Sequence, residues 1–386
     1  MYAADRPAVI ASVVLLAAAV SAMLLIAPVV VGALITQLGF TPSQGGLTIA
    51  VELAAMSAAA LPALWWLPRW PWARVIVVAL VVMIAGNIAC RYAASFAMLA
   101  ALRSITGLAG GSVMCICLAV IGKSSKPERN YGWWTIGQLV LGAIGLAALP
   151  RVMPAIGLQG LYVALAALLG VSLLVAHTAV PRGANSLGAD TRALGVPSEG
   201  MLSLPALLGL VGILSFYIGL GGLWTYVERI GITAGLAPTV IGDHLTIASL
   251  CGVAGCGTAI LIGARFGRLR PLLVGFALIL AGAAGLLGTP SSLRFLLSAS
   301  DFKYSWTLAL PFILACISVQ DRTGRLMALT NFMIGGGLAV GPAIIAAVLK
   351  SPPNYEIAPL LTMAFGAAAL GLLVLSMRLA TKTETR

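Results

Sequence analysis

The sequence predicts an all-α membrane protein: twelve transmembrane helices in two halves of six, with both termini in the cytoplasm. Three observations carry that expectation. The 386 residues are 60% hydrophobic and only 9% charged, with a mean hydropathy of +1.05; soluble domains carry about 25% charged residues and 45–50% apolar ones. The apolar residues fall in runs near the ~20 residues a helix needs to cross hydrocarbon. Lys and Arg concentrate in alternate connections between those runs, as they do in cytoplasmic loops. So little polar surface cannot cover a water-soluble globule, which excludes a soluble enzyme and a disordered tail. The long runs also speak against an outer-membrane barrel and require helices, which satisfy their own backbone groups in lipid.

The spans follow in order. The first, 8–35, is too long for the apolar core of a signal peptide and stays as a span. Spans two to six are 46–67, 75–93, 96–121, 131–149 and 158–179. After them comes the longest polar stretch, from Pro181 to Gly200, rich in Gly, Pro and Ser as linkers are. It divides the chain into 1–180, a cytoplasmic central loop 181–203, and 204–386. Spans seven to twelve are 204–227, 239–263, 271–289, 300–319, 326–349 and 357–379. The tenth opens on Asp301 and Lys303, and 291–297 ahead of it reads as loop or helix.

Orientation comes from the basic residues. Arg91, Arg151, Arg229, Arg294, Lys303 and Lys350 fall on one side, Arg103 falls within a span, and the other sixteen of the 23 share the side of both termini. That side is the cytoplasm. The same asymmetry explains the net charge of +12 without nucleic acid as a partner. The six cysteines, Cys90, Cys115, Cys117, Cys251, Cys256 and Cys316, lie in apolar stretches with neither metal-ligand nor disulfide spacing, and read as packing residues. No phosphate-binding loop, metal motif or Ser/His/Asp arrangement occurs, so no cofactor, no metal and no enzymatic activity are expected.

The halves resemble each other. Leu47-Thr48-Ile49-Ala50 opens span two, and Leu245-Thr246-Ile247-Ala248 lies early in span eight. Arg69 and Arg74 close span two; Arg265, Arg268 and Arg270 close span eight. Glu128-Arg129 precedes span five, and Asp321-Arg322 precedes span eleven. Three pairs in register indicate a parallel repeat, a transporter signature.

With that layout, the chain resembles the major facilitator superfamily. Leu102-Arg103-Ser104-Ile105-Thr106-Gly107-Leu108-Ala109-Gly110-Gly111 is similar to the family's span-four motif. Gly263-Ala264-Arg265-Phe266-Gly267-Arg268-Leu269-Arg270-Pro271 is similar to the second copy of its basic loop motif. The first copy departs from the pattern: Leu67-Pro68-Arg69-Trp70-Pro71-Trp72-Ala73-Arg74 lacks the usual Gly and Asp. Span five lacks the Gly-Pro pair of drug antiporters, which stands instead in span eleven at Gly341-Pro342. The resemblance implies two six-helix bundles, spans one, four, seven and ten around a central cavity, rocking of the halves, and gating at the basic loops (Arg69, Arg74, Arg265, Arg268, Arg270).

Ionisable groups inside spans are costly and are functional candidates by default. Glu52 lies about six residues inside span two and Arg103 about seven inside span four. Both spans enter from the outer side, so both charges sit ~9–10 Å deep and can pair. Glu52 is then a protonation site, with Arg103 its partner or an anion anchor; the alternative is a static ion pair that only fixes packing. Asp243-His244, near the start of span eight, is a second coupling candidate, since a His beside a carboxylate titrates near neutrality; Asp243 could equally cap the helix. Tyr217, Trp224 and Tyr226 in span seven, and Tyr304 and Trp306 in span ten, read as stacking residues for a planar ligand or as interface aromatics. Gln138 and Asn331 either contact substrate or bond neighbouring helices. Gly107-x-x-x-Gly111 and Gly337-x-x-x-Gly341 allow close helix approach.

The expected function is secondary active, proton-coupled transport of a small organic solute across the inner membrane by alternating access, with a tilt toward an organic or aromatic anion. The partners are that solute, protons and the lipid bilayer, and the protein is expected to be a monomer. Proton-driven efflux of amphipathic compounds is one alternative. A non-transporting membrane scaffold or a lipid-moving protein is another.

Overall fold

A computed structural model describes residues 6–40, 42–93, 95–179, 203–321, 324–348 and 355–384. Apart from Ser203, the expected central loop lies outside these residues. The described residues are helical and contain no strand. The helices are α1 (Pro7–Val20), α2 (Ala22–Leu25), α3 (Ala27–Leu38), α4 (Pro42–Ala58), α5 (Ala60–Trp66), α6 (Trp72–Cys90), α7 (Phe96–Gly122), α8 (Pro127–Ala179), α9 (Leu204–Thr233), α10 (Pro238–Ile262), α11 (Leu269–Gly285), α12 (Ser292–Ser318), α13 (Arg325–Val348) and α14 (Ile357–Glu384). Eight stretches among the described residues are long and apolar enough to cross a membrane. Large apolar side chains stand on the outer surface, among them Leu174 at 72% and Leu261 at 75% exposure. A lipid bilayer is the environment that covers such a surface.

Local chemistry explains where helices begin and break. Ser95, Ser203 and Ser291 each accept a hydrogen bond from an amide of the first turn of α7, α9 and α12. Span one, expected as one helix, is three: α1, α2 and α3 meet at Ser21 and Ile26, with a proline at the start of α3. Span two breaks at Ala59, where Pro62 removes a backbone donor. Spans five and six form one helical run, α8, bent at Gly157, whose φ of 61° suits glycine. Gln37 Oε1 accepts from the Leu158 amide at 2.8 Å and caps the helix beyond the bend.

One boundary needs correction. Span ten starts at Ser292, not at residue 300, so Asp301 and Lys303 do not open it. Lys303 lies eleven residues in, or ~17 Å along the axis. Arg294, Asp301 and Lys303 interrupt the apolar run and hid its first two turns from a hydropathy reading.

The chain forms two compact units. One comprises Met1–Ser125, Trp134–Ser198 and Asp321–Phe332; the other comprises Lys126–Trp133, Glu199–Gln320 and Met333–Arg386. In the first unit α4, α6 and α1 pack on α7. In the second, α10, α11 and α9 pack on α12, and α9 and α11 pack on α14. The same neighbours therefore recur around spans four and ten, as the repeat requires.

Close approach uses opposite partners in the two units. In the first, the glycines are on span four: a Cβ at Gly107 would stand 2.6 Å from the Glu52 carbonyl oxygen, and one at Gly111 2.7 Å from Ala59 Cβ. In the second, they are on span eight: Gly252 faces the Lys303 stem and Gly255 the backbone of Tyr304. Gly337 and Gly341 of α13 pack on the α9 backbone at Leu214, Ile218 and Gly222. Gly111→Val should therefore force α4 and α7 apart at the level of Met56. Overpacking of this kind costs about 1–3 kcal/mol, so the melting temperature of purified Gly111→Val should fall by several degrees, whereas Gly170→Ala, with open space around it inside a helix, should not lower it.

Candidate functional site

Among the described residues, two clusters of buried or half-buried polar side chains stand well within long helices, one in each unit. In the first unit, α7 carries Arg103 and α4 carries Glu52, both buried. Arg103 Nη1 lies 3.5 Å from Glu52 Oε1. Its Nη2 donates to Asn87 Oδ1 at 3.0 Å and lies 3.3 Å from Cys90 Sγ. The guanidinium carbon sits 5.5 Å from the centre of the Tyr162 ring. Asn87 is itself oriented by donating to the Met83 carbonyl at 2.8 Å. Gly107, one turn beyond Arg103, lets α4 come close enough for the pair to form. Glu52 Oε2, Arg103 Nε and the Tyr162 hydroxyl are buried without a hydrogen-bond partner. The site thus holds a charge pair with one carboxylate oxygen unused.

In the second unit, Lys303 of α12 stands over two indole rings, with Nζ 4.2 Å from the centre of Trp224 and 4.0 Å from that of Trp306. Trp306 lies edge-on to Tyr217, with ring centres 6.4 Å apart, and to Trp224 at 6.3 Å. Phe302 and Phe216 extend the cluster. Lys303, Trp224 and Trp306 are half-buried, and Tyr217 is buried. Among the described residues no carboxylate pairs with Lys303 and none accepts a hydrogen bond from it. The sequence reading missed this cation because it placed Lys303 at a span end. An amphipathic helix beginning at Ser292 was the signal that could have found it.

Elsewhere the structure separates what the sequence put together. Asp243 and His244 do not interact. Asp243 is exposed, while His244 shares a 2.8 Å hydrogen bond with Ser292 Oγ and lies 6.2 Å from the Phe295 ring; successive helical residues do not face each other. Asp243 is no helix cap, since Ala237 holds that position. Tyr304 donates to Thr258 Oγ1 at 3.0 Å, and Tyr226 packs on Tyr355 at 6.0 Å. Gln138 is half-buried. Asn331 is buried with its Nδ2 unpaired.

Of the basic loop residues, Arg268 is ion-paired with Glu128 of the first α8 turn, within the second unit. Arg265 and Arg270 are exposed. Arg69 is exposed, donates to the Trp65 carbonyl at 2.6 Å and stacks on the Trp65 ring. Arg74 edges an apolar groove of about 610 Å³ between α6 and α7. In the first unit, Asp321 accepts from the amides of Gly324 and Met327 at 2.7 and 2.8 Å. Burial pulls the nearby Lys123 ammonium below the usual lysine range, and Asp321 opposes that shift.

Comparison with known proteins places these clusters in context. The sequence model described as Major Facilitator Superfamily matches residues 10–342. No curated protein sequence matches the chain. Its fold is similar to that of the E. coli fucose:proton symporter FucP, at 13% identity and a TM-score of 0.71, covering 96% of this chain and 99% of the other. The human organic anion transporter MFSD10 (TETRAN) is similar at 16% identity and 0.73, covering 96% and 99%. The proton:xylose symporter XylE follows at 12% and 0.66, covering 94% and 93%. At such identities the likeness concerns the fold.

Proposed function

The chain belongs to the Major Facilitator Superfamily, and from that premise we propose that it couples proton movement to the passage of a small organic anion by alternating access. The observation that carries this reading is the buried Glu52–Arg103 pair with one carboxylate oxygen unpartnered. A buried pair that only stabilised packing would gain from using every lone pair. Here Glu52 Oε2 is free to take a proton. Protonation neutralises the carboxylate and weakens its hold on Nη1, while Asn87, Cys90 and Tyr162 keep the guanidinium in place. Loss of the proton restores the pair. This two-state contact is what coupling needs, because a ligand or proton shifts an equilibrium only by binding one state better.

Supporting features come from elsewhere in the chain. Two structures of similar fold are proton symporters and one is an organic anion transporter. The basic residues favour cytoplasmic termini in the inner membrane. Arg268 with Glu128 is the gating contact we assign to the second basic loop, with Arg69, Arg74, Arg265 and Arg270 flanking the loops. The protein acts as a monomer and uses no cofactor. The aromatic cluster in the second unit also suits efflux of amphipathic compounds, but an unpaired ammonium at its centre disfavours cationic ones.

The test is uptake into proteoliposomes with an imposed pH gradient. The panel comprises 4-hydroxybenzoate and phenylacetate as anions, fucose and xylose as neutral solutes, and ethidium as a lipophilic cation. Accumulation of an anion that collapses when a protonophore dissipates the gradient is the expected result. Gradient-driven movement of ethidium alone would establish the efflux reading, and no gradient-dependent movement of any solute would overturn proton coupling.

A further inference from the structure

We infer that Lys303, standing over Trp224 and Trp306, receives the carboxylate of an aromatic monocarboxylate in a binding site within the second unit. The inference rests on the transport reading above and gives it a substrate class and a place. Arg103 of the first unit is a buried cation whose charge is already answered by Glu52, Asn87, Cys90 and the Tyr162 ring. An anion arriving there would first have to break an ion pair. Lys303 has no such partner among the described residues. Two indole faces answer its charge in part, at 4.0 and 4.2 Å. Ring faces attract a cation but leave its three N–H donors without an oxygen acceptor. A charged group inside a span without a counter-ion is costly to keep, and a carboxylate that docks there removes the cost.

The rest of the ligand follows from the walls. Trp224 and Trp306 are half-buried, so part of each ring is open to a visitor, while Tyr217 and Phe302 close the cluster behind Trp306. Trp306 meets Trp224 and Tyr217 edge to face at 6.3 and 6.4 Å, a geometry that aromatic pairs favour and that a planar ring of the ligand can extend. One ammonium balances one negative charge, which selects a monocarboxylate. The site is also anchored. Gly252 leaves room for the Lys303 stem, where a Cβ would stand 3.1 Å from Lys303 Cγ. Thr307, one turn along α12, donates to the Gly252 carbonyl at 2.6 Å and fixes the two helices in register.

The full-length protein in detergent would be titrated calorimetrically with benzoate and phenylacetate, and with benzamide and benzyltrimethylammonium as neutral and cationic counterparts. The variants are Lys303→Gln, Lys303→Arg and Trp306→Leu, with melting temperature and monodispersity checked first. We expect the carboxylates to bind, benzamide and the cation not to bind, and Lys303→Gln to weaken carboxylate binding by about tenfold or more, the worth of a charge-assisted hydrogen bond. Lys303→Arg should restore most of the affinity, which a merely structural loss would not. If no carboxylate binds the native protein, or Lys303→Gln binds it equally well, the site is wrong. Benzamide or the cation binding as tightly as benzoate would overturn the carboxylate assignment. The two readings fail separately: gradient-driven uptake that Lys303→Gln leaves intact sinks this site and spares coupling, while Lys303-dependent binding without gradient-driven uptake sinks coupling and spares the site.

Discussion

Proteoliposomes carrying Glu52→Gln are expected to lose pH-gradient-driven accumulation completely, while solute still equilibrates down its own gradient. Gln is nearly isosteric with Glu and keeps a carbonyl oxygen for Arg103 Nη1, so the contact at 3.5 Å can persist. It cannot gain or lose a proton. The variant removes titration and also takes the counter-charge from a buried guanidinium. Leaving a buried charge uncompensated costs about 3–5 kcal/mol, and the retained amide oxygen, Asn87 and the Tyr162 ring offset part of it, so the melting temperature should fall and folding is checked before transport is measured. Arg103 remains charged in the variant, because a guanidinium does not deprotonate in proteins, and Asn87 still holds it. Full gradient-driven accumulation by Glu52→Gln would place the coupling proton on another group, with His244 the next to test.

The second large effect concerns stability. Arg103→Met strips Glu52 of its only described ionic partner in a site that is almost completely enclosed. Removing one member of a buried pair costs about 3–5 kcal/mol, because the other charge is left uncompensated. The protein should melt far lower, or fail to survive purification at neutral pH. Glu52→Leu combined with Arg103→Met removes both charges and should recover most of that loss, since apolar replacements of a buried pair are often neutral or stabilising. The recovered protein should still show no proton-driven uptake. Stability without transport would separate the functional role of the pair from its packing role. A double variant that remains as unstable as Arg103→Met would show that Asn87, Cys90 and Tyr162 need the guanidinium for packing, and a double variant that still couples protons would remove both residues from the mechanism.

The sequence already showed much of the first site. Glu52 and Arg103 were legible because a charge in an apolar run stands out, and because counting residues from the same end of two spans gives their depth. Asn87, Cys90 and Tyr162 were not, since neutral residues in such runs look like packing. Lys303 was hidden for a different reason. Arg294, Asp301 and Lys303 depress the hydropathy of the first part of α12, so a hydropathy reading starts the helix near Lys303. Asp243 and His244 looked paired because they are neighbours in sequence, but a helix turns adjacent residues about 100° apart.

What the sequence determined by itself was the class of the chain: all helical, with apolar runs of the length that crosses hydrocarbon. What only the tertiary structure decided was facing. Helices apolar on every side carry no stripe that says which flank meets protein and which meets lipid. Contacts are then chosen by shape, wherever small residues such as Gly107, Gly111, Gly252 and Gly255 let two backbones approach. The approach at Gly107 brings Glu52 to Arg103 across 51 residues of chain, and the packing of α9 on α12 brings Trp224 to Lys303 across 79. No local pattern encodes either meeting, because each depends on how two separate helices pack.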